Sequence, residues 1–371
     1  MTAPQTTAKH MRSDQLAAIA RQIRRHSLSS TKAAGSGHPT SSMSCAELMA
    51  VLFFEHLRYH VGRPHSLLND RFVLSKGHAA PALWGTLVEA GAYPPEELQH
   101  LREYGSELEG HPTPRSPFID VPTGSLGQGL SVGLGMALIS HRYGVHNHIW
   151  VLTGDSELSE GSNWEAAALA GHYGSGRLTV IVDANGLGQS GPTMEEQHPE
   201  RYEQRFAAFG WRTRVIDGHD IPAIDEAYQW ASEPSHQPTA IIAATVKGKG
   251  VGFLENADGR HGKPITGEEY DRAMAELGPY EPRPLLPVRP PEGKEPHAPE
   301  PVTGLLPDPD FGEQEATRGA YGAALLALTD RDKRVVVMDG EVSNSTKSEK
   351  AAKAHPDQYI EGYIAEQNMV G

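Results

Sequence analysis

Between about residues 13 and 249 the chain alternates between stretches with helical spacing of apolar residues and short unbroken apolar runs. The runs at 148–153 (HIWVLT), 178–182 (LTVIV) and 240–245 (AIIAAT) are short and apolar. Such runs suit strands buried on both faces of a parallel sheet. The helical stretch at 162–172 between the first two makes right-handed crossover units the expected connection. Residues 127–143 (GQGLSVGLGMALISHRY) read as a helix with small residues on one face, which lets another backbone come close. Ser44 and Glu47 have capping-box spacing at the head of a helix rich in Leu, Met, Val and Phe. The predicted fold class is α/β: a doubly wound parallel sheet with helices on both faces, followed by the beginning of a second α/β domain.

A change in pattern marks the boundary. Eleven of the 28 prolines fall between residues 279 and 309, so that stretch reads as an extended linker rather than packed core. The expected division is a first domain over 11–275, a linker over 276–312 and a second domain over 313–371. In the second domain the pattern predicts a helix from 313 to 328, a strand at 334–338, a helix near Lys347 and a strand at 359–364. Two strands and two helices, with a third helix barely begun, do not cover both faces of a sheet. The expectation is a truncated chain, or one that another chain completes. The first ten residues, MTAPQTTAKH, read as a loose tail.

Composition narrows the classes. A formal charge of −14 argues against a nucleic-acid footprint, and an anionic ligand would need local positive groups. The single cysteine, Cys45, excludes an internal disulfide, reads as a small core hydrophobe and fits a reducing cytoplasm. The chain opens without a signal-peptide apolar region, and no apolar run approaches the roughly 20 residues that span a bilayer.

The chemistry concentrates at strand ends. The first run closes in Gly154-Asp155, with Glu157 and Glu160 close behind. Crowded acids repel unless a positive group sits among them. Asn185 lies just past the next strand, thirty residues after Asp155, which is room for one strand–helix–strand unit. Ligands of open α/β sheets gather at the carboxyl ends of strands. A carboxylate and a carboxamide there offer hard oxygens for Mg²⁺ or Ca²⁺, with the Leu187 carbonyl of the turn NGLGQ as a further ligand. The competing reading is that Asp155 caps a helix and Asn185 makes a turn.

Four histidines sit beside Gly or in Gly/Pro turns: His38, His78, His111 and His261. Neutral imidazoles on loops can line a polar pocket and carry protons between oxygens. His56 and His60 lack an evident third metal ligand, and neither a CxxC nor an HExxH motif occurs. The loop GSLGQGLSVGLG (124–135) fails the dinucleotide fingerprint, because Val132 stands at the third glycine position and the preceding SPFIDVPT is broken by proline. No GxxxxGK[ST] loop exists. Lys76, Lys247 and Arg318 are candidate anion contacts, each more simply read as a solvated surface charge.

Taken together these elements resemble the transketolases, enzymes that use thiamine diphosphate. The likeness rests on GSGHPTSS, LSKGHAAPALW, EGHPTP, TGSLGQGLS, GDSELSEGSNWEA, DANGLGQSGPT, KGKG, RHGKPI, ATRGAYG and IEGYIAEQNMVG, which run in family order from Gly35 to the last residue. The pattern is nearer to the animal-type branch. The resemblance implies thiamine diphosphate with Mg²⁺ (or Ca²⁺) as cofactors, and metal contacts from Asp155, Asn185 and the Leu187 carbonyl. It implies cofactor contacts from His78, Gly124, Ser125, Leu126, Gly154, Gln189, Lys247, His261 and Glu366. His38, His111 and His261 would address sugar hydroxyls and relay protons, and Arg318 and Ser345 would grip a sugar phosphate. Glu366 would hydrogen-bond the pyrimidine, with Glu160 supporting it across a subunit contact of a homodimer.

The implied reaction is transfer of a two-carbon ketol unit between phosphosugars, in the cytoplasm and the pentose phosphate pathway. The alternatives are a related thiamine-diphosphate enzyme of the dihydroxyacetone or deoxyxylulose phosphate synthase type, or a non-catalytic subunit of a split enzyme. One departure stands inside the signature: Ser156 replaces its second glycine. If that position needs positive φ, serine would cost roughly 1 kcal/mol or more.

Overall fold

The computed structural model describes residues 3–280, 286–296, 300, 302–304 and 314–371, with side chains from residue 11 onward. The chain divides into two compact units, Met1–Glu295 and Pro296–Gly371.

The first unit opens with the long helix α1 (Ala3–Ala34), then α2 (Pro39–Ser44) and α3 (Ala46–Val51). Strand β1 (Arg71–Leu74) follows, then α4 (Ala80–Glu89), α5 (Gly129–Arg142), β2 (Ile149–Gly154), α6 (Gly161–Tyr173) and β3 (Leu178–Ala184). The unit continues through α7 (Pro199–Ala208), β4 (Arg212–Asp217), α8 (Ile221–Ala231), β5 (Thr239–Ala244) and α9 (Gly267–Glu276). The five strands form one parallel sheet in the order β1-β2-β3-β5-β4. Every residue of β2 and β3 is buried, as their unbroken apolar runs require.

Alternation along β2 sorts the two faces. Trp150 and Leu152 join a core cluster with Ile19, Met49, Trp84 and Tyr228 from α1, α3, α4 and α8. Val151 points the other way, onto α5, where a Cβ on Gly133 would stand 2.5 Å from the valine methyl. The small-residue face read in the sequence is therefore the face that lets α5 lie on the sheet. Helices cover both faces of the parallel sheet, as expected. No helix among the described residues is long and apolar enough to cross a membrane.

Some local expectations fail for stated reasons. The helix α1 starts at Ala3, so residues 3–10 are helical rather than a loose tail. The capping box at Ser44 and Glu47 does not form: Cys45 is the N-cap of α3 and makes no side-chain cap bond. Ser44 instead donates to buried Asp183 at 2.6 Å, and Glu47 binds the Arg24 guanidinium at 2.6 and 2.5 Å. Buried charges outbid an exposed-helix motif for these two side chains. The apolar pattern does not mark strands β1 and β4: β1 is only four residues long, and RTRVID of β4 carries three charges.

Part of the proline-rich stretch packs on the first unit. Leu286 is buried in the main core, and Arg289 accepts a backbone hydrogen bond from Tyr59. Glu295 accepts from Ser66 and from the Leu67 N–H. Residues 281–285, 297–299, 301 and 305–313 of the expected linker lie outside the described residues.

The second unit holds α10 (Thr317–Arg331), β6 (Val337–Asp339), α11 (Ser343–Thr346), α12 (Glu349–Ala354), β7 (Tyr359–Glu361) and α13 (Glu366–Val370). Strands β6 and β7 pair in parallel. Tyr321, Val342, Ile364 and Val370 are exposed, so this unit leaves apolar surface uncovered.

Candidate functional site

Two neighbouring strands set the geometry. Gly154 of β2 pairs with Asp183 of β3, so Asp155 and the Asn185 turn leave the sheet side by side. Asp155 Oδ2 accepts the Gly186 N–H at 2.6 Å, and Oδ1 accepts the Ser156 N–H at 2.8 Å. Asn185 Oδ1 accepts the Leu187 N–H at 3.1 Å. The cap and the turn are both real, yet they leave lone pairs on Asp155 and Asn185 facing a cavity of about 270 Å³. Asp155 is 2% exposed and makes no ion pair among the described residues. Burial, with the nearby Asp183 carboxylate, pushes its pKa up to about 6, against the N–H bonds that favour the anion.

A cation already marks the carbonyl side. Lys247 Nζ donates to the Leu187 and Gly188 carbonyls, each at 2.9 Å, and lies 2.9 Å from His261 Nδ1. Burial, with Lys76 close by, lowers its pKa to about 8. The ammonium thus occupies the carbonyl position that the sequence singled out for a divalent ion. A buried carboxylate without a cation, a carboxamide oxygen and carbonyls that hold a positive group suit a hard divalent ion with its phosphate ligands.

The four loop histidines converge on the same cavity. The His38 ring stands 5.1 Å from His78, 6.2 Å from His111 and 4.8 Å from His261, centroid to centroid. Burial and mutual repulsion lower His38 to about 4, and burial with Lys247 lowers His261 to about 3. Burial first, then neighbouring cations, also lowers His78 and His111. All four are neutral near pH 7 and offer both a donor and an acceptor. His38 Nδ1 is buried with no hydrogen-bond partner.

Glycines shape the wall opposite. Gly124 has φ +130°, and a Cβ there would stand 2.7 Å from His111 Cδ2. Gly77 packs so tightly that a Cβ would meet the Gly124 nitrogen at 2.7 Å. Gly124→Ala is expected to cost about 1–2 kcal/mol and to push His111 out of the cluster. Urea unfolding checks this, and an unchanged midpoint would show that the contact relaxes freely.

Gly124, Leu126, Gly154, Asp155, Asn185, Leu187, Gln189, Lys247 and the four histidines all line this cavity. Ser125 flanks it, exposed and accepting from Gln128. Glu160 is exposed at the N-cap of α6, against Gly127, and does not line the cavity. Arg318, Ser345 and Glu366 belong to the second unit, all exposed, in the first turn of α10, in α11 and at the start of α13. His56 pairs with Asp225 at 2.8 Å and His60 lies outside the helix. Ser156 does not have positive φ, so serine is unstrained in that position.

Other site residues escaped the sequence reading. Lys76 is no surface charge: it is buried, pairs with Asp183 and donates to the Ser41 carbonyl at 3.0 Å. Asp183 also accepts from Thr245 and, at 3.4 Å, from Asn185 Nδ2, which orients the carboxamide. Glu157 accepts from Ser75, Thr153, Gly127 N and Gly154 N, so all its capacity ties loops to the strand tip. His219 Nε2 accepts the Val246 N–H at 2.8 Å, so Nδ1 carries the proton shared with Glu47 at 3.0 Å. It anchors the turn that presents Lys247. Polar residues buried at strand tips, as in Asp183 and Thr245, are the signal that could have revealed these.

The parallel sheet, with hard oxygens and a polar cavity at its strand tips, defines a doubly wound α/β domain of the kind that takes its ligand at the carboxyl ends of the strands. A family model described as "Transketolase, thiamine diphosphate binding domain" matches residues 15–290, and one described as "Transketolase, pyrimidine binding domain" matches 313–371. The chain belongs to the transketolase family. Transketolase-like protein 2 of Bos taurus is 46% identical over 359 residues, covering 95% of this chain and 57% of its own length. The transketolase of Homo sapiens is 44% identical over 357 residues, 95% of this chain and 56% of its own. The crystal structure of transketolase from Campylobacter jejuni superposes with a TM-score of 0.85 at 26% identity, over 96% of this chain and 62% of that one. The chain thus spans under two thirds of the length of these relatives.

Proposed function

We propose that the chain carries the cofactor-binding part of a transketolase, which moves a two-carbon ketol unit from a ketose phosphate to an aldose phosphate. The observation that carries this reading is the contact between Asp155 and the 185–188 turn, with the Lys247 ammonium held on the carbonyls of that turn. Asp155, Asn185 and the Leu187 carbonyl would hold Mg²⁺ or Ca²⁺. His78, Gly154, Gln189, Lys247 and His261 would take the diphosphate, and Gly124, Ser125 and Leu126 the aminopyrimidine. When bound, thiamine diphosphate supplies an acidic ring carbon that can take up the ketol fragment.

The chain's own residues bind, orient and move protons. His38, His111 and His261, kept neutral by burial and neighbouring charge, can donate to a sugar hydroxyl or take its proton. Arg318 and Ser345 would grip the sugar phosphate. The chain would act as a homodimer, or with a complementary chain, in which Glu160 supports Glu366 of the partner subunit against the pyrimidine. The exposure of both glutamates fits that arrangement. A cytoplasmic, reducing setting fits the single thiol of Cys45, which is fully buried and pushed up to about 12 by desolvation.

Calorimetry with thiamine diphosphate and Mg²⁺ tests the site. Uptake that requires the metal is expected, and metal-independent uptake would remove the reading. A donor screen tests the reaction class: ketol transfer from a ketose phosphate is expected, whereas CO₂ release from pyruvate would place the chain with the deoxyxylulose phosphate synthase type.

A further inference from the structure

Lys247 is presented by a short turn just after β5, and the backbone on either side of it is tied down. The Gly248 N–H donates to the Thr40 carbonyl at 3.0 Å, and the Lys247 carbonyl accepts from the Asn256 N–H at 2.9 Å. Both of these bonds are backbone to backbone. The bond at Val246 is different: its N–H donates at 2.8 Å to His219 Nε2, from the turn between β4 and α8. An imidazole nitrogen accepts only while it carries no proton. The lysine turn therefore leans on a titratable side chain that does not line the cavity.

Further bonds fix His219 itself. Its Nδ1 meets Glu47 Oε2 at 3.0 Å, and its backbone N–H donates to Asp217 Oδ1 at 2.8 Å. Glu47 also holds Arg24 through two guanidinium nitrogens, at 2.6 and 2.5 Å. Arg24 Nε in turn donates to the Met43 carbonyl at 3.1 Å. Against desolvation, Arg24 and then His219 hold Glu47 down to about 2, so it stays an anion. Glu255, which accepts the Gly250 N–H and pairs with Lys249 at 3.5 Å, is a further charge facing the imidazole. A second proton on the ring gives Glu47 a charged partner. The same proton turns Nε2 from an acceptor into a donor set against the Val246 N–H. Protonation thus tightens one end of this chain of contacts and opens the other.

We propose that His219 is a positioning residue for Lys247, a latch that holds the lysine turn in place while its ring is neutral and releases it when the ring takes a proton. Uptake of a diphosphate then weakens on acidification through a side chain that never touches the ligand. The inference rests on the reading of Lys247 as a diphosphate contact.

The test is calorimetry of thiamine diphosphate uptake with Mg²⁺ at about pH 8 and about pH 5.5, which spans the range where imidazoles change charge. At the higher pH, His219→Leu is expected to weaken uptake about fivefold, as the loss of one hydrogen bond implies. His219→Gln should stay within about twofold of the parent, because its amide can accept from Val246 and donate to Glu47. Across the pH step the parent should lose about fivefold more affinity than His219→Gln, whose amide takes no proton. Urea unfolding at both pH values separates loss of fold from loss of position. Should His219→Leu fail to fold, the comparison of the parent with His219→Gln decides alone. Equal pH dependence in those two overturns the latch and leaves the Lys247 reading standing. If Lys247→Met does not weaken uptake, or the parent takes up no cofactor, the Lys247 reading falls and this inference falls with it.

Discussion

Asp155→Asn is expected to abolish metal-dependent uptake of thiamine diphosphate while removing the loss of stability that the cofactor-free chain undergoes as pH rises from about 4 to about 6. Asp155 is buried, and its carboxyl rises from 3.8 to about 6. The folded chain therefore keeps a proton that the unfolded chain loses, and stability falls as pH rises through that window. The full difference is about 3 kcal/mol above pH 6. Asparagine carries no charge to desolvate, but it turns an amide toward one of the two N–H groups that Asp155 now accepts. Losing one such bond costs about 1–2 kcal/mol. The variant should thus be about level with the parent at pH 5, where roughly half of that difference is already present, and about 1–2 kcal/mol more stable at pH 8. Urea unfolding at the two pH values, with calorimetry for cofactor, reads both effects. Parallel pH curves, or cofactor uptake that survives the change, would show that Asp155 is not the unmet charge at this site.

Lys76→Met should give the largest loss of stability in the first unit. Lys76 and Asp183 are both buried and bonded to each other. Their mutual attraction holds Lys76 above and Asp183 below their ordinary ranges, against a desolvation that pulls each the other way. Removing one partner strands a charge in the core, at a cost of about 3–5 kcal/mol. Asp183 would keep its bonds to Ser44 and Thr245, which softens the loss. Lys76→Met with Asp183→Asn should recover at least half, because the double change leaves no unpaired charge. A single variant as stable as the parent, or a double variant worse than the sum of the two singles, would contradict the pair's role. Asn185 Nδ2 also leans on Asp183, so either single change should weaken cofactor uptake by loosening the carboxamide.

These two sites show where legibility stopped. Asp155 and Asn185 were visible because each follows an apolar run at a spacing that fits one crossover, and strand ends gather ligands. Lys76 and Asp183 were not visible as a pair, because 107 positions separate them and nothing local ties a lysine before β2 to an aspartate inside β3. The same holds for His219 and Glu47, 172 positions apart. Ser44 and Glu47 misled: their spacing matched a helix cap, but tertiary partners claimed both side chains.

By itself the sequence determined the class of fold, the strands buried on both faces, the small-residue face of α5 and the loops that carry imidazole and hard oxygen. Those features are local, set by side-chain period and by glycine and proline at turns. Only the tertiary structure decided that four histidines share one pocket, that Lys247 sits on the Leu187 carbonyl and that Ser156 is unstrained. Each depends on which distant segments meet, and pairing across the sheet, not residue type, chooses those neighbours.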